Sequence, residues 1–177
     1  FDSVDQKILM TLIAEKIHCP ETLWLIEKIV RSFEKEPNQG LPLGNVTSQL
    51  FANIYLNELD QFVKRILKIK FYLRYSDDFI IIVSNNDVAK QFISKIKEFL
   101  AAKLNLNLHP QKIITRSYLQ GIDFLGYVLR PHYRILRHKT KNRLFKKVNE
   151  NNLQSYFGLL KHCSGYKIKK QISEKEL

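Results

Sequence analysis

Apolar residues recur at helical spacing through the first third of the chain. Ile8, Leu9, Leu12, Ile13 and Ile17 fall on one helical face, and Ser3 with Gln6 has capping-box spacing ahead of them. After Pro20, the positions of Leu23, Trp24, Ile26, Ile29, Val30 and Phe33 predict a second helix over residues 21–36. Prolines, glycines and asparagines then interrupt the pattern between 37 and 45 and predict an irregular loop. A long helix over 48–70 follows, with Phe51, Ile54, Tyr55, Leu59, Phe62 and Ile66 in period. At 71–83 the chain changes to aromatic and β-branched residues around Ser76-Asp77-Asp78, which predicts a hairpin with those three residues as its turn. Asn86 and Asp87 are placed to cap a helix reaching Leu104, and the alternation over 104–110 predicts extended chain that continues as a strand over 111–114. Residues 121–130 and 133–136, flanking Pro131-His132, predict a second hairpin. From His138 onward the pattern is helical, with a break at 149–152. Strands with helices packed on one face give an α+β layer.

The chain has 177 residues, of which 45% are apolar and 26% charged, enough for one globular domain and a small appendage. No signal-peptide pattern or membrane-length apolar run is visible, and Cys19 and Cys163 stand apart from any second cysteine at metal or redox spacing. Together these features predict a reducing, cytoplasmic setting with buried or inert thiols. Charge is concentrated at one end. Residues 1–129 hold 16 Lys and Arg against 14 Asp and Glu, whereas residues 130–177 hold 13 against 3. That basic tail also carries Tyr133, Phe145, Tyr156, Phe157 and Tyr166, a mixture suited to a polyanion's backbone and bases. Nucleic acid is therefore the expected partner. An anionic membrane is not, because no amphipathic anchor is evident.

The candidate chemistry lies in the first hairpin. Neighbouring side chains of a flat strand point to opposite faces, so a tight turn is what brings Asp77 and Asp78 towards one point. Two carboxylates ~4 Å apart repel by about 4 kcal/mol at an effective dielectric near 20, and a hard divalent cation between them removes that penalty. Asp is also an ordinary turn former, and on the pair alone that plainer reading is the favoured one; the neighbouring segments are what shift it. Gly44 allows backbone to approach a ligand closely, with Ser48 and Gln49 beside it at a helix start. Asp2 and Asp5 fit a capping or first-turn role, and His109, ahead of Pro110, fits a structural one.

Four segments in order resemble the reverse transcriptases. Tyr75-Ser76-Asp77-Asp78 resembles that family's Y-x-D-D box. Leu43-Gly44-Asn45-Val46-Thr47-Ser48-Gln49 resembles its template- and nucleotide-contacting loop and helix start. Leu108-His109-Pro110-Gln111-Lys112 resembles the segment with a lysine general acid, and Phe124-Leu125-Gly126-Tyr127 resembles the primer grip. The resemblance spans nearly the whole chain, most densely from Gly40 to Tyr127. Leu43 and Gln49 stand where many bacterial relatives carry Gln and Pro, a form similar to the enzymes of diversity-generating retroelements, with unassigned bacterial or phage reverse transcriptases as the alternative branch.

The resemblance implies a polymerase palm over 1–136 and a small basic helical thumb over 137–177, both partial, with fingers absent. It aligns Phe1 with the residue that excludes a ribose 2′-hydroxyl and puts a third metal-binding Asp upstream, so the fragment is expected to polymerise poorly or not at all. The implied reaction is RNA-directed DNA synthesis with two Mg²⁺ ions (Mn²⁺ as substitute), held by Asp77 and Asp78, with Lys112 as proton donor to pyrophosphate. Phe1, Gly44, Ser48 and Gln49 would contact nucleotide or template, and Phe124, Leu125, Gly126 and Tyr127 the primer end. RNA template, DNA primer, dNTPs and a small basic accessory protein are the implied partners. The alternative is a catalytically inactive nucleic-acid-binding remnant. A cyclase-like enzyme leaves the basic tail and residues 124–127 unexplained.

Overall fold

The computed structural model describes residues 1–42 and 44–174, which form two compact units, Phe1–Ile113 and Ile114–Leu177. The first unit comprises helices α1 (Gln6–Ala14), α2 (Pro20–Val30), α3 (Val46–Gln61) and α4 (Asn86–Leu104) and a hairpin of strands β1 (Phe71–Tyr75) and β2 (Asp78–Ile82). The core lies along α3, where Phe51, Tyr55 and Leu59 recur every fourth residue, continued by Val63 just beyond its end, and all are buried with Leu9, Ile96 and Leu100, among others. Burial along β1 alternates. Tyr72 turns inward, while Phe71, Leu73 and Tyr75 remain exposed. Helices therefore cover one face of the hairpin, the α+β arrangement expected from the pattern.

Several boundaries differ from the sequence expectation, each for a local reason. The cap of α1 is Asp5 instead of Ser3: its Oδ1 accepts from the Lys7 and Ile8 amides at 2.9 and 3.1 Å. Gln6, the expected capping-box partner, is buried instead. Its Nε2 faces the carbonyls of Val30, Phe33 and Gly40 at 2.8–3.1 Å, tying the end of α2 and the following loop to α1. With those carbonyls engaged, α2 stops at Val30 and does not continue to 36.

The third helix starts two residues early. It leaves α geometry at Gln61 through a π-turn (Phe62–Ile66), followed by left-handed Lys68 at φ 53°. The Lys64 ammonium closes that end on the Ile69 and Lys70 carbonyls, both at 3.1 Å. The cap of α4 is Asn85, one residue before the expected pair, with Asp87 in the first turn. Leu106 and Leu108 alternate towards the core as anticipated, but residues 111–114 form no strand. Pro110 instead opens a 3₁₀ turn (Pro110–Lys112), a start its fixed φ favours.

The second unit holds strands β3 (Ile122–Phe124), β4 (Tyr127–Leu129) and β5 (Arg134–Leu136) in one antiparallel sheet, then helices α5 (His138–Lys147), α6 (Leu153–Lys161) and α7 (Tyr166–Ser173). The expected hairpin is β4–β5, and β3 adds a strand through a second tight turn. The break between α5 and α6 is a reciprocal Asn149–Asn152 capping pair. Leu136, Leu144, Leu160, Ile168 and Ile172 form this unit's core. Both cysteines are free thiols, Cys19 exposed and Cys163 half-buried, and burial pushes up the pKa of the Cys163 thiol. Among the described residues, no helix is long and apolar enough to cross a membrane.

Candidate active site

The β1–β2 register pairs Tyr75 with Asp78, leaving a two-residue turn of Ser76 and Asp77. Asp78 is thus the first residue of β2 and lies outside the turn, correcting the three-residue turn read from sequence. Ser76 has φ 54° and Asp77 has no positive φ, the signature of a type II′ hairpin turn, whose first position ordinarily takes Gly. Both aspartates are exposed at this tip, and among the described residues neither carboxylate has a hydrogen-bond or ion-pair partner.

What lies beneath the turn is well tied down. Arg74, its side chain only 10% exposed, donates through Nε and Nη2 to both carboxylate oxygens of Asp60 on α3, at 2.8 and 2.6 Å. Its Nη1 donates to Asn53 Oδ1 at 3.0 Å and to the Ser76 carbonyl at 2.8 Å. The Tyr72 hydroxyl donates to Asp60 at 2.6 Å. Burial pushes the Asp60 carboxyl up, but hydrogen bonds from Arg74 and Tyr72 and the guanidinium charge outweigh it, leaving a lowered pKa. Tyr72 moves the other way, raised by burial and by its bond to Asp60. Sequence reading missed Asp60 and Arg74. Asp60 sits among the apolar repeats of a helix, and Arg74 precedes the carboxylate box as one more strand residue.

The loop before α3 is anchored to the same helix. Ser48 is buried and its hydroxyl donates to the Pro42 carbonyl at 2.6 Å, so it fastens loop to helix, while Gly44 (φ 90°) and Gln49 are exposed. Leu43 lies outside the described residues. A Cβ on Gly44 would meet nothing within 4 Å, so its requirement is conformational. Phe1 is exposed, as is Lys112 in its 3₁₀ turn. Helix α3 thus joins Ser48 at one end to Asn53 and Asp60, the supports of the carboxylate turn.

Residues 124–127 lie in the second unit as the β3–β4 turn. Leu125 and Gly126 occupy its two corners at φ 51° and 86°, the type I′ pattern, in which an exposed Leu is strained. Phe124 is buried. The Gly126 carbonyl accepts from the Arg137 amide at 2.9 Å, and the Tyr127 hydroxyl donates to the Leu159 carbonyl at 3.0 Å.

Comparison with known proteins decides the family. The model for the reverse transcriptase (RNA-dependent DNA polymerase) family matches residues 1–129. The chain belongs to the reverse transcriptase family. Among its relatives are the group II intron-encoded protein LtrA of Lactococcus lactis subsp. cremoris, 28% identical over 73% of this chain, and protein YkfC of Escherichia coli strain K12, 26% identical over 73%. A 91 kDa protein in the cob intron of Schizosaccharomyces pombe is 25% identical over 94%. The match spans 33%, 44% and 26% of those three proteins, respectively. Reverse transcriptases generally use divalent metals, and Mg²⁺ is commonly held by one or two carboxylates plus substrate phosphates. Two free carboxylates on an anchored turn fit that donor set, although no cluster of three or more metal-ligating side chains occurs among the described residues.

Proposed function

We propose that this chain forms the catalytic core of an RNA-directed DNA polymerase that extends a DNA primer on an RNA template from dNTPs. The observation that carries the reading is the unpartnered Asp77 and Asp78 pair at the tip of a hairpin whose base is fixed by Arg74 and Asp60. Residues 1–136 are assigned to the palm and 137–177 to the thumb. Asp77 is the principal metal ligand, with Asp78 beside it. When bound, two Mg²⁺ ions would activate the primer 3′-hydroxyl and stabilise the leaving pyrophosphate, and Mn²⁺ could substitute.

Lys112, exposed in its 3₁₀ turn, gives a proton to the pyrophosphate oxygen as the primer 3′-oxygen bonds to the α-phosphorus and the P–O bond to the leaving group breaks. Gly44, Gln49 and Phe1 contact nucleotide or template, Ser48 holds their loop in place, and the turn at 124–127 supports the primer end. In the second unit, 14 Lys and Arg stand against 4 Asp and Glu, and they grip phosphates without reading sequence. A small basic accessory protein is a further candidate partner. The loop residues Gly44 to Gln49 are similar to the form in diversity-generating retroelement enzymes, whereas LtrA and the cob-intron protein are intron-encoded relatives, and misincorporation opposite template adenines distinguishes the two.

Extension of a labelled DNA primer on an RNA template by the natural full-length protein, with binding measured in parallel, tests the proposal. Metal-dependent extension is expected. Tight, salt-sensitive template-primer binding with no extension would favour the inactive remnant instead.

A further inference from the structure

The support beneath the carboxylate turn converges on one side chain, Arg74. Arg74 spends two N–H groups on Asp60, and a third nitrogen bridges Asn53 on α3 and the Ser76 carbonyl. A largely buried ion pair contributes little net stability, because desolvation offsets most of the attraction. What such a pair does supply is a fixed direction, since the guanidinium fork is planar and rigid. The Ser76 carbonyl belongs to the peptide unit that joins Ser76 to Asp77. Holding its oxygen at 2.8 Å fixes the plane of that peptide, and hence the direction in which the Asp77 backbone enters its side chain. Ser76 also sits at φ 54°, a conformation costly for a non-glycine residue that persists only where the surroundings enforce it.

We propose that the Asp60–Arg74 pair is a positioning device that locks the Ser76–Asp77 peptide so that the Asp77 carboxylate is aimed for a divalent cation. Asp60 anchors the guanidinium to α3, and Arg74 transmits that anchor to the turn. Neither touches substrate. The inference rests on the reading of Asp77 and Asp78 as metal ligands, and the experiment separates the two.

Mn²⁺ binding to the natural full-length protein is titrated by electron paramagnetic resonance, alongside the Mg²⁺ concentration for half-maximal primer extension. Variants are Arg74→Lys, which keeps the charge but loses the fork, Asp60→Asn, which keeps the volume, and Asp77→Asn. Supporting groups around metal ligands typically tune affinity by 10–100-fold. Arg74→Lys is therefore expected to raise both the Mn²⁺ dissociation constant and the half-maximal Mg²⁺ concentration by roughly tenfold or more. Asp60→Asn is expected to move both in the same direction, and it decides the matter if Arg74→Lys does not fold. Lower melting temperatures with unchanged metal dependence in the folded protein would mean a merely structural pair and would overturn the inference. If Asp77→Asn itself leaves Mn²⁺ binding unchanged, the metal reading fails first.

Discussion

Replacing Tyr55 with Phe removes the hydroxyl that pins α3 within the first unit. Tyr55 is fully buried, and its hydroxyl donates to the Leu104 carbonyl at the end of α4 at 2.6 Å. The same oxygen accepts from the Asp5 amide at the start of α1 at 3.3 Å. The substitution leaves the ring in place and strands a helix-terminal carbonyl and an amide away from water. At about 1–3 kcal/mol for each buried group left unsatisfied, one short bond and one long bond give a loss of about 2–3 kcal/mol. For a unit of this size the melting temperature should fall by roughly 6–15 °C.

The pH dependence gives a second reading of the same group. Burial pushes the Tyr55 phenol up to about 12, with its Asp5 contacts as smaller contributions. The folded pKa lies above the ordinary value near 10, so the contribution is fully present below pH ~10 and lost as pH rises towards 12. Its size is on the order of 2–3 kcal/mol. Chemical denaturation of the natural protein and of Tyr55→Phe, at intervals from pH 7 to 11.5, measures both effects. The stability difference should be about 2–3 kcal/mol at pH 7 and shrink above pH 10. A constant difference across that range, or none at pH 7, would refute the role assigned to the hydroxyl.

Three further outcomes follow from the geometry. Gly126→Ala forces a Cβ into a left-handed corner 3.3 Å from Thr140 Oγ1 and should destabilise the second unit by about 1–2 kcal/mol in thermal unfolding. Asp60→Asn should flatten the acid limb of stability. The lowered carboxyl pKa contributes stability above the unfolded value near 4 that is lost as pH falls through the folded value, and denaturation at pH 7 against pH 3 reads the change. Neutralising Lys141, Arg143 and Lys146 on α5 should reduce the slope of log binding constant against log salt by roughly one for each cation that meets a phosphate, as measured by fluorescence anisotropy on template-primer.

The elements themselves were largely legible, because apolar spacing decides which face a helix or strand buries. The carboxylate hairpin, α4 up to Leu104 and the basic helices after His138 follow directly from that spacing. Boundaries set by single side chains were not. Gln6 looks like a capping residue in sequence, yet three distant carbonyls draw it inward. The π-turn at 62–66 has no Gly or Pro to announce it, and the lysine that closes it reads as surface charge. Asp77 and Asp78 stood out through their company, the Tyr75-Ser76 start of the box and the three other segments in order around it. Asp60 and Arg74 lie fourteen residues apart and become a pair only when β1 packs against α3.

The most direct test of the central claim is single-turnover primer extension by the natural full-length protein and its Asp77→Asn variant. Both are saturated with RNA template and DNA primer, and Mg²⁺ is titrated. Template-primer binding should be retained while the variant's extension rate falls by orders of magnitude at every Mg²⁺ concentration. An Asp77→Asn protein that extends primers at the parental rate would contradict the assignment of the chemistry to this hairpin.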